Sequence, residues 1–377
     1  MEKRFVYADN AATTRVSDEV VAAMLPYFTE YYGNPSAVYG FAGKAKTAIE
    51  NARAQVAAAL GATPGEIYFV SCGTEADNWA LKGTARMLAE KGRHIISTPF
   101  EHHAILHSLN TLEKEGFEVT YLPVYDNGRV KVEDLKAAIR PDTILVSVMF
   151  ANNEIGTIQP IAEIGAVCRE RGILFHTDAV QAIGHVPVDV QAMNIDMLSL
   201  SGHKFHAPKG IGAMYLRKGV GIPNFMDGGG QEKNVRPGTA PIANLCAMGL
   251  SSSLLMAGRE ENHKRVTEIR GALLEGLTKL PDICINSPAD STPYILNFSA
   301  LGVRSEIMLH FLEEKGIYVS SGSACAKGEP SHVLLAMDLA RERADSAIRL
   351  SFGRYNTLDE VPVFLEAVSE ALKRFRR

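Results

Sequence analysis

The sequence predicts an α/β protein with a mostly parallel sheet in a large first domain and a smaller α+β domain at the C-terminal end. Three observations predict it. From roughly residue 38 to 220, helical patterns alternate with short apolar runs, the sequence signature of parallel strands joined by helices. Beyond a long helical stretch at roughly 241–280 the pattern turns to sparser strands and helices. A length of 377 residues also exceeds what one hydrophobic core usually serves. The expected division is 15–255 for the large domain and 256–377 for the small one, with residues 1–14 packing on the latter.

Taken in order, FVYADNA near the N-terminus is strand-like, with no apolar signal-peptide region before it. Ala45, Ile49, Ala52, Val56 and Leu60 recur at helical spacing, and Gly61 stands where a helix C-cap belongs. EIYFV (66–70) reads as a buried strand, followed by the turn SCGTE and a helix to Gly92. HIIST, EVTYLP, TILVSVMF, GILFHTDA and DMLSLS continue the strand series. The helical stretch at 241–280 breaks near Gly258 and stops at Pro281. Strands YILNFSA, IYVSS and AIRLSFG then alternate with helices expected over 305–315, 331–340 and 358–375.

Composition narrows the function. The chain is 46% hydrophobic and 22% charged, with net charge -4, and basic residues cluster only in the last few positions. That disfavours a nucleic-acid partner, which needs clustered Lys and Arg. No apolar run reaches the ~20 residues needed to span a bilayer, and a cytoplasmic location is the expectation. The five cysteines, Cys72, Cys168, Cys246, Cys284 and Cys325, are scattered and lack zinc or disulfide spacing.

In parallel sheets of this kind ligands bind beyond the carboxyl ends of the strands. Ser71-Cys72-Gly73-Thr74-Glu75 opens a helix after EIYFV, where free N–H groups make an anion site and an ordinary N-cap is the commoner role. Glu101-His102-His103 follows the next strand; an imidazole there could stack on a flat cofactor, and with His107 it invites a metal, but no ligand set is complete. Asn152 and Asn153 follow TILVSVMF and suit either a turn or a ring substituent. Asp178 ends GILFHTD and needs a partner, for which a protonated cofactor ring nitrogen serves well. Lys204 follows DMLSLS among small residues, a candidate Schiff-base amine. Each has an ordinary structural reading alone. Together, on successive strands, they suit pyridoxal phosphate.

At this point the sequence resembles the cysteine desulfurases, a branch of the class V aminotransferases with the fold-type-I architecture. The resemblance rests on YADNAATT (7–14), GNPS (33–36), SCGTEADN (71–78), EHHA (101–104), NNEIG (152–156), HTDAVQ (176–181), SGHKFHAPKGIG (201–212), RPGT (236–239), SSGSAC (320–325) and IRLSFG (348–353), in family order over nearly the whole chain. It implies that Lys204 carries pyridoxal 5′-phosphate, that Asp178 partners the pyridinium and that His102 stacks on the ring. Asn153 and Gln181 would contact the ring side, while Gly73, Thr74, Ser201 and His203 would hold the phosphate. Thr239 matches a phosphate contact supplied by the neighbouring subunit, which implies a homodimer. Arg349 matches the substrate-carboxylate clamp, with Asn34 and Asn153 as further substrate contacts, and Cys325 matches the sulfur acceptor.

The residues around Cys325, SSGSACAKG, are small and flexible, and Lys327 favours a thiolate. The implied activity converts L-cysteine to L-alanine and leaves a persulfide on Cys325, for delivery to a sulfur acceptor or iron–sulfur scaffold protein. Departures from the family pattern are Cys72 before the phosphate threonine, Tyr39 where His is common, and a short stretch between Cys325 and His332. Selenocysteine lyase shares the scaffold, and a class V aminotransferase or lyase indifferent to Cys325 is a second alternative. A non-catalytic scaffold would bind no cofactor and have no use for Lys204, Asp178 and His102 together. A metal hydrolase using His102, His107, His203 and His206 competes for residues with better assignments.

Overall fold

The computed structural model describes residues 5–322 and 331–376. Twelve strands run in chain order among the described residues: β1 (Val6–Tyr7), β2 (Ile67–Val70), β3 (His94–Ser97), β4 (Glu118–Tyr121), β5 (Thr143–Ser147), β6 (Leu174–Asp178), β7 (Met197–Ser201), β8 (Gly212–Leu216), β9 (Ile283–Ile285), β10 (Ile295–Ala300), β11 (Ile317–Tyr318) and β12 (Ala347–Ser351). Seven of them form one sheet in the order β2-β8-β7-β6-β5-β3-β4. Every strand of that sheet runs the same way except β8, which is antiparallel to both neighbours.

The central strands TILVS and MLSLS are buried at every position, as expected where helices cover both faces of a sheet. The apolar stripe predicted from Ala45 to Leu60 forms the helix Gly43–Leu60. It ends on Gly61 at φ 67°, a left-handed cap that glycine adopts without strain. β8 escaped the reading of the sequence. Residues 202–211 leave too little chain for a helical crossover after β7, so the next strand must return antiparallel. Its first residue meets the backbone of its neighbours: a Cβ at Gly212 would fall 2.6 Å from the Leu200 carbonyl oxygen and 2.7 Å from the Cys72 carbonyl carbon.

The C-terminal part builds a three-stranded antiparallel sheet, β9-β10-β12. Helices Arg259–Leu277, Ser305–Glu314 and Glu360–Phe375 give it a core containing Val266, Ile269, Phe298, Phe311, Phe364 and Val368. Val6 and Ala8 join that core, and β1 pairs in parallel with β11. Val333, Leu334 and Met337 instead pack into the core beneath the seven-stranded sheet. The helix expected over 331–340 is shorter, His332–Ala336, and Asp338 beyond it takes a left-handed φ of 57° that ends the run.

Because β2 is parallel to β5, β6 and β7, their carboxyl ends share one sheet edge. The turns that follow them converge there, and β12 reaches the same place from the other sheet through the bridges Asp9–Ser351 and Ser320–Arg349.

Candidate active site

A cavity of about 310 Å³ opens at that sheet edge. Gly73, Thr74, His102, Asn153, Asp178, Gln181, Ser201, His203, Lys204 and Arg349 all line it. Residues spread over 277 positions of chain meet here because each sits just past a strand of the large sheet or, for Arg349, within β12.

Lys204 lies in the single turn Gly202–Lys204 immediately after β7. Its Nζ donates to the carbonyl oxygens of Ala11 at 2.7 Å and Ala12 at 2.9 Å, so the N-terminal YADNAATT segment orients the amine. The same segment is anchored from Thr14 N to the His203 carbonyl at 2.8 Å and through the His203 Nδ1 and Thr13 hydroxyl pair at 3.2 Å. Burial, with the charges of Lys204 and Lys209 adding to it, pushes the His203 imidazole down to about 4, so it stays neutral.

Asp178 is buried at the end of β6, and Val180 N donates to its Oδ1 at 2.9 Å. Burial raises its carboxyl above the ordinary range, while His102 and Lys204 pull the other way. His102 caps the helix His103–Lys114, its Nδ1 accepting Ala104 N at 3.1 Å. Its ring reaches solvent through the cavity yet lies deep among protein atoms, and desolvation holds the imidazole below its usual value.

The helix Gly73–Leu88 points its N-terminus at the cavity, with Cys72 at the cap position. A Cβ on Gly73 would sit 2.8 Å from Val180 Cγ2, so glycine lets the helix start pack closely against the Asp178 turn, and N–H groups at such a helix start suit an anion. Arg349 is buried. Its Nη2 pairs with Asp9 Oδ1 at 2.6 Å and its Nη1 donates to the Asn153 carbonyl at 3.0 Å.

Two expected residues lie elsewhere. Thr239 lines a separate cavity of about 240 Å³ with Phe69, Ser71, Gln231 and Arg236. Arg236 is paired with Glu75 at 2.8 Å, which ties that loop to the start of the Gly73–Leu88 helix. Asn34 is exposed and outside the Lys204 cavity, its side-chain oxygen accepting Ser36 N at 3.0 Å. Cys325 lies outside the described residues. Of the departures noted in the sequence, Cys72 lines the cavity and Tyr39 is exposed.

The structure adds residues that sequence reasoning passed over. Asp77, one turn along the helix from Gly73, is buried against the cavity, and both desolvation and the charge of Asp178 raise its carboxyl. Glu154 and His332 line the cavity as well. The motifs that contain Asp77 and Glu154 were visible, but nothing in their spacing shows which carboxylate is buried. Among the described residues no group of three or more His, Cys, Asp or Glu could hold a metal ion, and no helix is long and apolar enough to cross a membrane.

The sheet, the lysine after β7 and the aspartate after β6 together define an aminotransferase-type enzyme of fold type I. A model of the class V aminotransferase family matches residues 6–364, and the chain belongs to that family. Within it, the chain is 50% identical over 377 residues to the cysteine desulfurase IscS of Clostridium botulinum (strain Kyoto / Type A2), spanning 98% of this chain and 95% of the relative. It is also 50% identical to the cysteine desulfurase IscS of Methanosarcina thermophila, over 100% of this chain and 94% of that one. A solved NifS-like protein superposes with a TM-score of 0.93 at 40% identity, covering 98% of this chain and all of the other.

Proposed function

We propose that the protein is a cysteine desulfurase: it binds pyridoxal 5′-phosphate, takes sulfur from L-cysteine to leave L-alanine, and receives that sulfur as a persulfide on Cys325. The observation that carries this reading is the convergence of Lys204, Asp178, His102 and Arg349 on one cavity, in a chain half identical to cysteine desulfurases.

The cavity's donor set fits the cofactor. Gly73 and Thr74 at a helix N-terminus, with Ser201 and His203, suit a phosphate. Gln181 Oε1 is a buried acceptor with no hydrogen-bond partner among the described residues, and it faces the same cavity. Asp178 is a buried carboxylate whose ionised form a ring N–H⁺ would stabilise. When bound, pyridoxal phosphate supplies an electron sink for the pair released at the substrate Cα.

The remaining work falls to this chain's side chains. Arg349 presents a planar fork for the substrate carboxylate, and the Asp9 and Asn153 contacts keep that fork from rotating. Lys204 Nζ is the group placed to take and return the Cα proton, with the Ala11 and Ala12 carbonyls orienting it. Desolvation lowers the His102 imidazole, against the pull of Asp178, which favours a neutral ring as the cover for a flat cofactor. The Cys325 thiolate attacks the substrate sulfur and the S–Cβ bond breaks; its electron pair stays with the substrate carbon, where protonation completes L-alanine, and the outer persulfide sulfur then passes to a thiol of an acceptor protein, iron–sulfur scaffolds being the expected class. Thr239, which lines a cavity separate from its own chain's Lys204 cavity, supports a homodimer in which each subunit completes its neighbour's phosphate site.

The test compares the wild type with Cys325→Ser in L-cysteine and excess dithiothreitol, with alanine and sulfide measured together. Equimolar products in the wild type, lost in the variant while the visible cofactor band persists, are expected. A fully active variant would refute the role of Cys325.

A further inference from the structure

His332 lines the Lys204 cavity and has no part in the chemistry above. We infer that His332 Nδ1 is the hydrogen-bond acceptor for the thiol of the bound substrate, which makes this histidine a specificity-determining residue that favours an amino acid with an S–H on Cβ. The identity of that substrate rests on the desulfurase reading; the acceptor on the cavity wall does not.

The ring's hydrogen pattern follows from its partner. His332 Nε2 lies 3.0 Å from the Glu101 carbonyl oxygen. A carbonyl can only accept, so Nε2 carries the hydrogen and donates it. A neutral imidazole then holds its lone pair on Nδ1. Desolvation favours that neutral ring, with the Glu101 bond pulling the other way. His103 packs against it with ring centroids 4.8 Å apart, and burial, then the charges of His332 and His107, lower that imidazole too. His102 has the opposite pattern. Its Nδ1 accepts Ala104 N at 3.1 Å, so the hydrogen of a neutral ring sits on Nε2. Two imidazoles of one cavity therefore differ in kind: His102 carries a donor and His332 an acceptor.

His332 is held from both sides. Glu101 is buried, and its Oε1 accepts Thr98 Oγ1 at 2.6 Å and Met149 N at 2.9 Å, which fixes the wall that the ring bonds to. The backbone opens the helix His332–Ala336, where Ser331 Oγ accepts Leu334 N at 3.2 Å. Val333 and Leu334 then pack into the core beneath the large sheet. An acceptor placed this firmly needs little further ordering when a ligand binds.

Other acceptors on the same wall are committed. Glu154 Oε2 already accepts the Ser331 hydroxyl. Asp77 is raised by burial and by the charge of Asp178, which places it with the pyridinium partner. With the substrate carboxylate on Arg349, an S–H directed at Nδ1 stops rotation about the Cα–Cβ bond. The proton stays on sulfur, and the side of the sulfur opposite Cβ is left open. That is the side from which a nucleophile must arrive to break the S–Cβ bond.

The test uses the cofactor-loaded Cys325→Ser protein, in which sulfur transfer is blocked and binding can be read alone. The shift of the visible cofactor band is titrated with L-cysteine and with L-α-aminobutyrate, whose methyl group replaces the thiol. His332→Gln keeps an Nε2 that donates to Glu101 and lacks an acceptor at the δ1 position. It should weaken L-cysteine about fivefold or more and change L-α-aminobutyrate by less than about twofold. His332→Asn, whose Oδ1 takes the place of Nδ1, should return L-cysteine to within about twofold of the parent. If His332→Gln holds no cofactor, His332→Phe, which fills the ring's space without an acceptor, is read against the same criteria. Equal losses for both ligands would mark a merely structural role and overturn the proposal, as would unchanged binding of both. A selective loss in a protein that yields no alanine or sulfide with Cys325 intact keeps the thiol acceptor and rejects the desulfurase reading. Turnover of cysteine without any selective loss does the reverse.

Discussion

Single side chains at this site are tuned chiefly by desolvation. Glu101 shows it most simply: its Oε1 accepts Thr98 Oγ1 at 2.6 Å and Met149 N at 2.9 Å, and burial, assisted by the charge of Asp178, pushes the carboxyl up to about 8 from an ordinary 4.5. Between those two values the folded chain keeps a proton that the unfolded chain has released. Stability from this group is therefore full at low pH and declines as pH rises through the window. Glu101→Gln, which keeps the accepting oxygen, should remove the decline. Urea unfolding at pH 5 and pH 8.5 checks this: the variant's advantage should grow with pH, by at most about 5 kcal/mol. An advantage that is the same at both pH values would rule out a protonated Glu101. At Arg349, lysine would keep the charge but lose the two-pronged contact that Asp9 and Asn153 align. Arg349→Lys is expected to raise KM for cysteine about tenfold or more, with a smaller effect on kcat. Equal losses in both would assign Arg349 to the transition state instead.

At the scale of elements, the helix Gly73–Leu88 and its approach to the Asp178 turn set how close an anion can come. Gly73→Ala puts a methyl group 2.8 Å from Val180 Cγ2, so the Val180 side chain or the helix start must shift. Cofactor affinity of the apoenzyme, followed by absorbance titration, should fall about tenfold or more, while the unfolding midpoint of the apoenzyme changes little. Unaltered affinity would show that the phosphate is held elsewhere. A second element effect braces the loop that carries Thr239. Arg53, buried in the helix Gly43–Leu60, forms a two-pronged pair with Glu232 at 2.7 and 2.9 Å, and Glu232 Oε2 also accepts Phe69 N. The pair holds Glu232, Lys233 and Asn234 in three consecutive left-handed conformations, a strained turn that persists only because its surroundings over-determine it.

For the whole molecule, Thr239 lines a cavity other than the one that holds its own chain's Lys204, and Leu25, Phe28, Tyr32, Val38 and Phe41 leave apolar side chains exposed within one short stretch. Apolar groups gathered this way are what association covers. The proposed homodimer predicts a solution mass of twice 40.9 kDa by light scattering; a mass of one chain would leave Thr239 without a phosphate to hold.

Strand–helix alternation was legible in the sequence because burial on both sheet faces demands unbroken apolar runs such as TILVS and MLSLS, and helices demand a 3.6-residue period. The residues just past those runs, Lys204, Asp178, His102 and Thr74, could be singled out because parallel strands deliver their ends to one edge. Other features depend on partners far away in the chain. β8 runs antiparallel because residues 202–211 are too few for a crossover. Asp77 and Glu101 are carboxyls in ordinary helical and turn patterns until burial next to Asp178 sets their protonation. Asn34 shares a motif with the site but folds into an exposed turn of its own. Ser331 donates to Glu154 only because the NNEIG turn and the start of the helix His332–Ala336 meet in space. Local pattern determined which elements form and which residues end them; desolvation and contacts between distant segments, which no local pattern encodes, decided the charge and placement of the groups around the site.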